Sequence, residues 1–431
     1  MDNSYTSCEV DRNSKDIRLL TLQHNNDEDI IRCDMQTYSS RDRPSYTALS
    51  YTWGVNTMHA DIELNGFKVS VRENLWDFLH QQLLHGNYGP FWIDALCINQ
   101  SDVRERNRQV QMMGSIYEEA HRLLIWLGKE SDDSNLAMQA LADWEWCRRT
   151  TIQHLFATEG KISDIFLARG TKSVVTWNSQ QVCGILSLCQ RKYWSRMWII
   201  QEIMLASRIE IHCGPKILEW YKLEQLYYYL NTQPNVQKDM DTPFHNAVRA
   251  SPAVRTSPVM SIVKIRAVGM PTAQLRRWHK EFSIEDLMET YSDHECEDVR
   301  DKVYALVGVT TCGFSIVVDY RKQVKDVLLD VFYFSSTKMA FNECWDKDGL
   351  SNFGRLLEKV LRVPFPEPEL QFHINHSYAL TSEKLPKYMQ KKRKDREEFG
   401  FNMVYGAGEF FRDIQLARRN TSYAYESAHT Q

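Results

Sequence analysis

The sequence predicts an α/β fold: a mostly parallel sheet flanked by helices over residues 1–220, then a mainly helical region. Two short apolar runs, 91–98 and 123–127, are of strand length and enclose a segment whose apolar residues recur at helical spacing. An Asn-Gly pair joins two alternating segments further upstream. Apolar residues make up 43% of the 431 and charged ones 25%, enough to build a buried core behind a solvated surface.

The elements follow in order. Ile17-Arg-Leu-Leu-Thr-Leu22 reads as a strand, and Tyr46-Thr-Ala-Leu-Ser-Tyr-Thr-Trp53 as another, closed by Gly54. Residues 61–64 and 67–71 alternate around Asn65-Gly66, a hairpin signal because both positions tolerate positive φ. Asn74 is placed as the cap of a helix carrying Leu75, Phe78, Leu79 and Leu83 on one face. The run 91–98 is apolar throughout except for Asp94, the pattern of a central strand buried on both faces. Asp102 and Glu105 open a helix in the manner of a capping box, with Val110, Met113, Tyr117 and Ala120 as its stripe. The strand at 123–127 ends at Gly128.

A helix follows around 134–148, then an aperiodic stretch at 157–179 read as loop or insertion. Helices at 180–191 and 195–206 lead to a strand at 208–213. Residues 231–260, with Pro234, Pro243, Pro252 and Pro258, read as a flexible connection, and helices follow at 283–291 and 299–307. The division expected is a domain at 1–220, a helical companion at 221–361 and a polar, less ordered tail at 362–431.

Composition narrows the partners. A net charge of −4 lacks the basic footprint of a nucleic-acid binder. The cluster Lys391-Lys-Arg-Lys394 is read as a solvated helix face, not an import signal, since Arg396, Glu397 and Glu398 follow. The polar start Met1-Asp-Asn-Ser-Tyr5 does not resemble a secretory leader, and no run reaches the ~18 apolar residues of a membrane helix. The expectation is a cytoplasmic protein with no membrane segment. Ten cysteines, none at CxxC spacing, read as reduced and mostly buried thiols. His212 beside Cys213 has no partners at metal spacing, so no metal is assigned. The absence of a GxxxxGK[ST] loop argues against a nucleotide switch.

Four blocks carry a family resemblance. The first runs from Ile17-Arg-Leu-Leu-Thr-Leu22 to Tyr46-Thr-Ala-Leu-Ser-Tyr-Thr-Trp-Gly54. The second is Phe91-Trp-Ile-Asp-Ala-Leu-Cys-Ile-Asn-Gln100 with Asp102, Glu105, Arg106, Met113, Tyr117 and Ile125-Trp-Leu-Gly128. The third is Tyr193-Trp-Ser-Arg-Met-Trp-Ile-Ile-Gln-Glu-Ile203, and the fourth Arg300-Asp-Lys-Val-Tyr-Ala-Leu-Val-Gly308 with Asp319-Tyr320. Together they resemble the fungal heterokaryon incompatibility (HET) family, with the strict domain over about 46–206. The resemblance implies an intracellular effector of programmed cell death on non-self recognition.

HET domains in turn resemble Toll/interleukin-receptor (TIR) domains, which implies a TIR-like or flavodoxin-like sheet. Leu49-Ser-Tyr51 matches the end of the first TIR strand, and Trp198-Ile-Ile-Gln-Glu202 a TIR helix signature. The catalytic glutamate of such domains cleaves the nicotinamide–ribose bond of NAD, which assigns that role to Glu202. Trp198 and Glu202, at i and i+4, share a helix face. Ser50, Tyr51, Trp53, Gly54, Asp94, Asn99 and Gln100 are placed around the same ligand at the strand ends, where open α/β sheets bind. NAD then enters as substrate, with no permanently bound cofactor.

Each residue also has a plainer reading. Glu202 can be the ion-pair partner of Arg196, Asp94 can bond loop amides, and Trp53-Gly54 can be a turn with its packing cap. Cys97 reads as a small buried hydrophobe. Arg300, Asp301 and Lys302 are read as docking the helical half onto the domain. At the level of function, the alternative to an enzyme is a signalling module that self-associates or binds a protein partner, as adaptor TIR domains do.

Overall fold

The computed structural model describes residues 5, 8, 10, 14–24, 30–54, 56–144, 177–231, 257–269, 282–310, 316–341 and 347–379. The aperiodic 157–176, the connection at 232–256 and the tail beyond 379 lie outside them. The chain forms two compact units, 1–280 and 281–431.

The first unit is built on a nine-stranded sheet: β1 (Ile17–Leu22), β2 (Arg32–Tyr38), β3 (Thr47–Tyr51), β4 (His59–Leu64), β5 (Phe67–Arg72), β6 (Phe91–Trp92), β7 (Arg122–Trp126), β8 (Ile209–Cys213) and β9 (Lys216–Glu219). Their order across the sheet is β5-β4-β2-β1-β6-β3-β7-β8-β9. The α/β class agrees with the sequence, but the sheet is mixed and not mostly parallel. β6, β3, β7 and β8 run parallel to their neighbours within that group. β1 pairs antiparallel with both β2 and β6, and the hairpins β4–β5 and β8–β9 are antiparallel. β2 and β4 meet in a short parallel contact.

The hairpin turn forms where the sequence places it. Asn65 and Gly66 sit at φ 51° and 79°, the left-handed region a two-residue turn requires. The Asn65 side chain also accepts from Met35 N at 2.7 Å and donates to Met35 O at 3.1 Å, fastening the turn to β2.

The apolar run at 91–98 is the main departure. Only Phe91 and Trp92 are strand, and α2 (Asp94–Cys97) follows at once. The short strand lies between β1 and β3, so the expected central position stands. Cys97 N donates to Ile93 O at 2.7 Å, which turns the chain into a helix. Asp94 stands in the first helical turn, where a carboxylate meets the free N–H groups and accepts from Ala95 N at 2.7 Å.

Helices cover both faces of the sheet. α1 (Glu73–Leu84) buries Leu75, Phe78 and Leu79 among Leu49, Tyr51, Leu124 and Trp126. Asn74 does not cap it: its amide donates to Thr52 O at 2.6 Å and accepts from Trp126 Nε1 at 3.0 Å, tying α1 to the ends of β3 and β7. α3 (Val103–Glu119) buries Val110, Met113, Ile116 and Tyr117. Asp102 caps it by accepting from Arg104 N and Glu105 N, whereas Glu105 turns its own carboxylate to Asn99 N and Arg18. α4 (Ser134–Asp143) and α5 (Ser179–Cys189) pack together, the latter opened by a full capping box of Asn178 and Gln181. A 3-10 turn (Lys192–Ser195), α6 (Ile199–Leu205), α7 (Tyr221–Asn231) and α8 (Pro258–Gly269) complete the unit. α6 packs on α3 and α8.

The second unit contains α9 (Ile284–Tyr291), α10 (Asp301–Tyr304), α11 (Val324–Phe341), α12 (Lys347–Leu361) and a helix at 367–379. The helical reading of this region is correct; the helix over 299–307 shrinks to α10 and turns. The charges of the fourth block serve the unit itself. Arg300 grips Asp298 and the carbonyls of Tyr320 (2.6 Å) and Lys322 (2.7 Å), and Lys302 donates to Ser292 O at 2.7 Å. Asp301 accepts from Tyr320 Oη at 2.6 Å. Through Arg300 and Asp301 these bonds clamp the loop at 319–322.

Candidate functional site

β3 supplies the floor of the site. Its residues alternate, so Leu49 and Tyr51 join the α1-side core while Ser50 points to the opposite face. There Ser50 Oγ donates to Glu202 Oε2, and Tyr193 Oη stands 2.5 Å from Ser50 Oγ. Glu202 is reached from α6 and is 2% exposed. Its backbone N–H closes back on Trp198 O.

Arg196, in the turn before α6, brings Nη1 to 3.7 Å from Glu202 Oε2. That nitrogen is buried and has no hydrogen-bond acceptor among the described residues, so the pair attracts through charge and not through a made bond. The ion-pair reading of Glu202 is thus present in the geometry alongside the Ser50 bond. Burial pushes the Glu202 carboxyl up to about 7, against the pull of Arg196 and the Ser50 bond, while the Asp94 charge adds to the rise.

Asp94 feels the charge of the same arginine. Burial raises its carboxyl, opposed by Arg196 and by Trp53, whose Nε1 donates to Oδ2 at 3.0 Å. The Arg72 guanidinium lies 5.1 Å from the Trp53 ring and donates to Gly54 O at 3.1 Å. Gly54 adopts φ 80°, and an added Cβ would sit 3.3 Å from Asn74 Cβ, so the position needs glycine for the turn. Gln100 donates to Asp94 O at 3.0 Å. Two carboxylates, one guanidinium, two hydroxyls and an indole therefore meet at the carboxyl ends of β3 and β6.

The other residues read from sequence lie differently. Asn99 is turned into its own loop, accepting from Ser101 N and Oγ at 3.2 and 2.6 Å. Tyr51 is buried on the α1 side, with its phenol pushed well up by burial. Trp198 is half-buried at the start of α6. Cys97 is buried, its thiol pushed up to about 12 by burial, which suits a packing role and not a nucleophile. Tyr193 was not among the site residues read from sequence. Its signal was its place at the head of the same motif block as Glu202, although nothing in the spacing brings the 3-10 turn onto Ser50. Tyr117, from α3, donates to Leu49 O at 3.2 Å and completes the wall.

Residues 46–202 match the family model of the heterokaryon incompatibility protein (HET). This segment is a HET domain. It contains every residue of the site just described, from Ser50 to Glu202. The chain is also 31% identical over 243 residues to heterokaryon incompatibility protein 6, OR allele, of Neurospora crassa. That alignment takes in 50% of this chain and 35% of the relative, so the chain spans about a third of the protein it matches. No solved structure matches the chain.

A separate apolar cavity lies among Leu127, Leu188, Cys189, Trp194, Ile211, Leu218, Leu223 and Val259. It shares no residue with the Glu202 site. No described helix is long and apolar enough to cross a membrane.

Proposed function

We propose that this chain acts in heterokaryon incompatibility, relaying or executing cell death on non-self recognition, and that Glu202 centres an NAD-cleaving site in its HET domain. One observation carries the reading. Ser50, Asp94 and Glu202 belong to three motif blocks far apart in sequence, yet they stand around one water-shielded charge cluster.

The chemistry asks for such a cluster. The C–N bond between ribose and nicotinamide breaks, its electron pair leaves with nicotinamide, and positive charge develops on the sugar. A carboxylate held beside that carbon stabilises the charge. Water then adds to the carbon and loses its proton, giving ADP-ribose. Glu202 is the charge-stabilising group, Trp53 and Trp198 offer half-buried aromatic surface beside it, and NAD is a substrate with no cofactor needed.

A second reading has its own support. Glu202 is 2% exposed and already engaged by Ser50, as in a buried network that shapes a surface for self-association or a protein partner. Incubating the purified protein with NAD and measuring released nicotinamide separates the two. In a fungal cell, overexpression of an autonomous effector is toxic; normal growth with abundant folded protein contradicts it.

A further inference from the structure

Glu202 Oε2 is met by a hydroxyl, and that hydroxyl is met by another. Tyr193 Oη, Ser50 Oγ and Glu202 Oε2 stand in line, all three buried. Serine and tyrosine hydroxyls each donate one proton and accept another, and rotate to suit. We propose that these three groups form a reversible hydrogen-bond chain that holds Glu202 both charged and neutral, more firmly when charged, making it an acid–base group with Tyr193 and Ser50 as its positioning residues. The link to a reaction rests on the reading of the site given above; the chain itself does not.

The proton count closes in both states. With Glu202 ionised, Tyr193 donates to Ser50 and Ser50 donates to the carboxylate. When Glu202 takes a proton from water on Oε2, it donates to Ser50 Oγ, and Ser50 turns its hydrogen to Tyr193 Oη. Tyr193 then turns its own hydrogen aside. Only Glu202 changes charge, because burial holds the Tyr193 phenol well above its usual range. A single donor such as a backbone N–H would favour the ionised state alone.

The surrounding charges set the balance. Arg196 approaches at 3.7 Å and favours the ionised state. Asp94, from α2, opposes it. Tyr117 of α3 lies on the same side, and Tyr51 of β3 on the opposite one; both remain neutral, pushed well up by burial. From α8, Arg266 points at the end of α6, donating to Ala206 O at 2.8 Å. The net result agrees with the carboxyl standing at about 7, where a general acid or base works best at physiological pH.

The test is an infrared titration of the full chain carrying 13C-labelled glutamate, with Glu202→Gln identifying the band. The expected midpoint lies within about one unit of neutral. Ser50→Ala removes the donor to the carboxylate and raises the midpoint by about one unit; Ser50→Thr, which keeps the hydroxyl, restores it. Tyr193→Phe raises it by less, through lost polarisation of Ser50, and has no effect in the Ser50→Ala background. Equal shifts from Tyr193→Phe in both backgrounds, or none in either, would overturn the chain. So would a Glu202 that stays ionised at pH 5. If Ser50→Ala does not fold, an unmoved midpoint in Tyr193→Phe alone is decisive against it. The titration needs no substrate. A chain that titrates as described without releasing nicotinamide supports the inference and sinks only the NAD reading.

Discussion

Glu202 carries a stability signature that does not depend on any reaction. Its folded carboxyl stands at about 7, against 4.5 for an unperturbed one. Between those values the folded protein keeps a proton that the unfolded chain has lost, so stability falls as pH rises through the window. The difference corresponds to about 3 kcal/mol. Glu202→Gln is therefore expected to lose less stability than wild type between pH 4.5 and 7, measured as the difference of their unfolding free energies across that range. Identical pH slopes would show that Glu202 titrates as an ordinary surface carboxylate. At this scale Glu202 and Ser50 were legible because motif blocks mark them. Tyr193 was not, because the contact that matters spans 143 residues and leaves no trace in local spacing.

At the level of elements, local rules succeed where local physics decides. The Asn65-Gly66 hairpin, the α1 stripe and the Asp102 cap are each set by a few neighbouring residues. The run at 91–98 failed because apolar content does not separate a buried strand from a buried helical turn; Asp94, set in the first turn of α2, was the discriminating residue. β2 and β9 were missed because β2, Arg32–Tyr38, is largely polar and β9, Lys216–Glu219, is only four residues long; each becomes a strand by pairing with β1 or β8. Gly184 illustrates the same limit in reverse. Helix propensity alone favours alanine there by about 1 kcal/mol. In the structure an added Cβ would lie 2.6 Å from Asp133 O, a backbone atom of the neighbouring turn. Gly184→Ala is thus expected to destabilise by about 1–3 kcal/mol in denaturant titration; a gain in stability would mean α4 and α5 pack more loosely than described.

Across the first unit, the sheet is held to its helices by a buried charge. Arg18 of β1 is 2% exposed and pairs with Glu105 at the start of α3. It also donates to Cys8 O at 2.7 Å and Cys97 O at 3.1 Å, and lies over the Tyr5 ring. One side chain thus joins the N-terminal segment, β1, α2 and α3. Arg18→Met takes the charge partner from the Glu105 carboxylate, which keeps the Asn99 N–H, and one donor each from the carbonyls of Cys8 and Cys97, and is expected to cost about 3–5 kcal/mol in unfolding free energy. A loss under 1 kcal/mol would reassign this junction to apolar packing. The α/β class followed from the alternation of strands and helices. The mixed sheet did not, since the antiparallel placing of β1 between β2 and β6 is a matter of tertiary pairing.

The central claim is that the Glu202 cluster of the HET domain cleaves the nicotinamide–ribose bond, and nicotinamide release tests it most directly. Purified full chain and its Glu202→Gln variant, matched for folded content, are incubated with NAD and the released nicotinamide is measured over time. The account predicts release by the wild type and a loss of about 100-fold or more in the variant, the scale of removing one aimed electrostatic group. No release by the folded wild type, or equal release by both proteins, would contradict it.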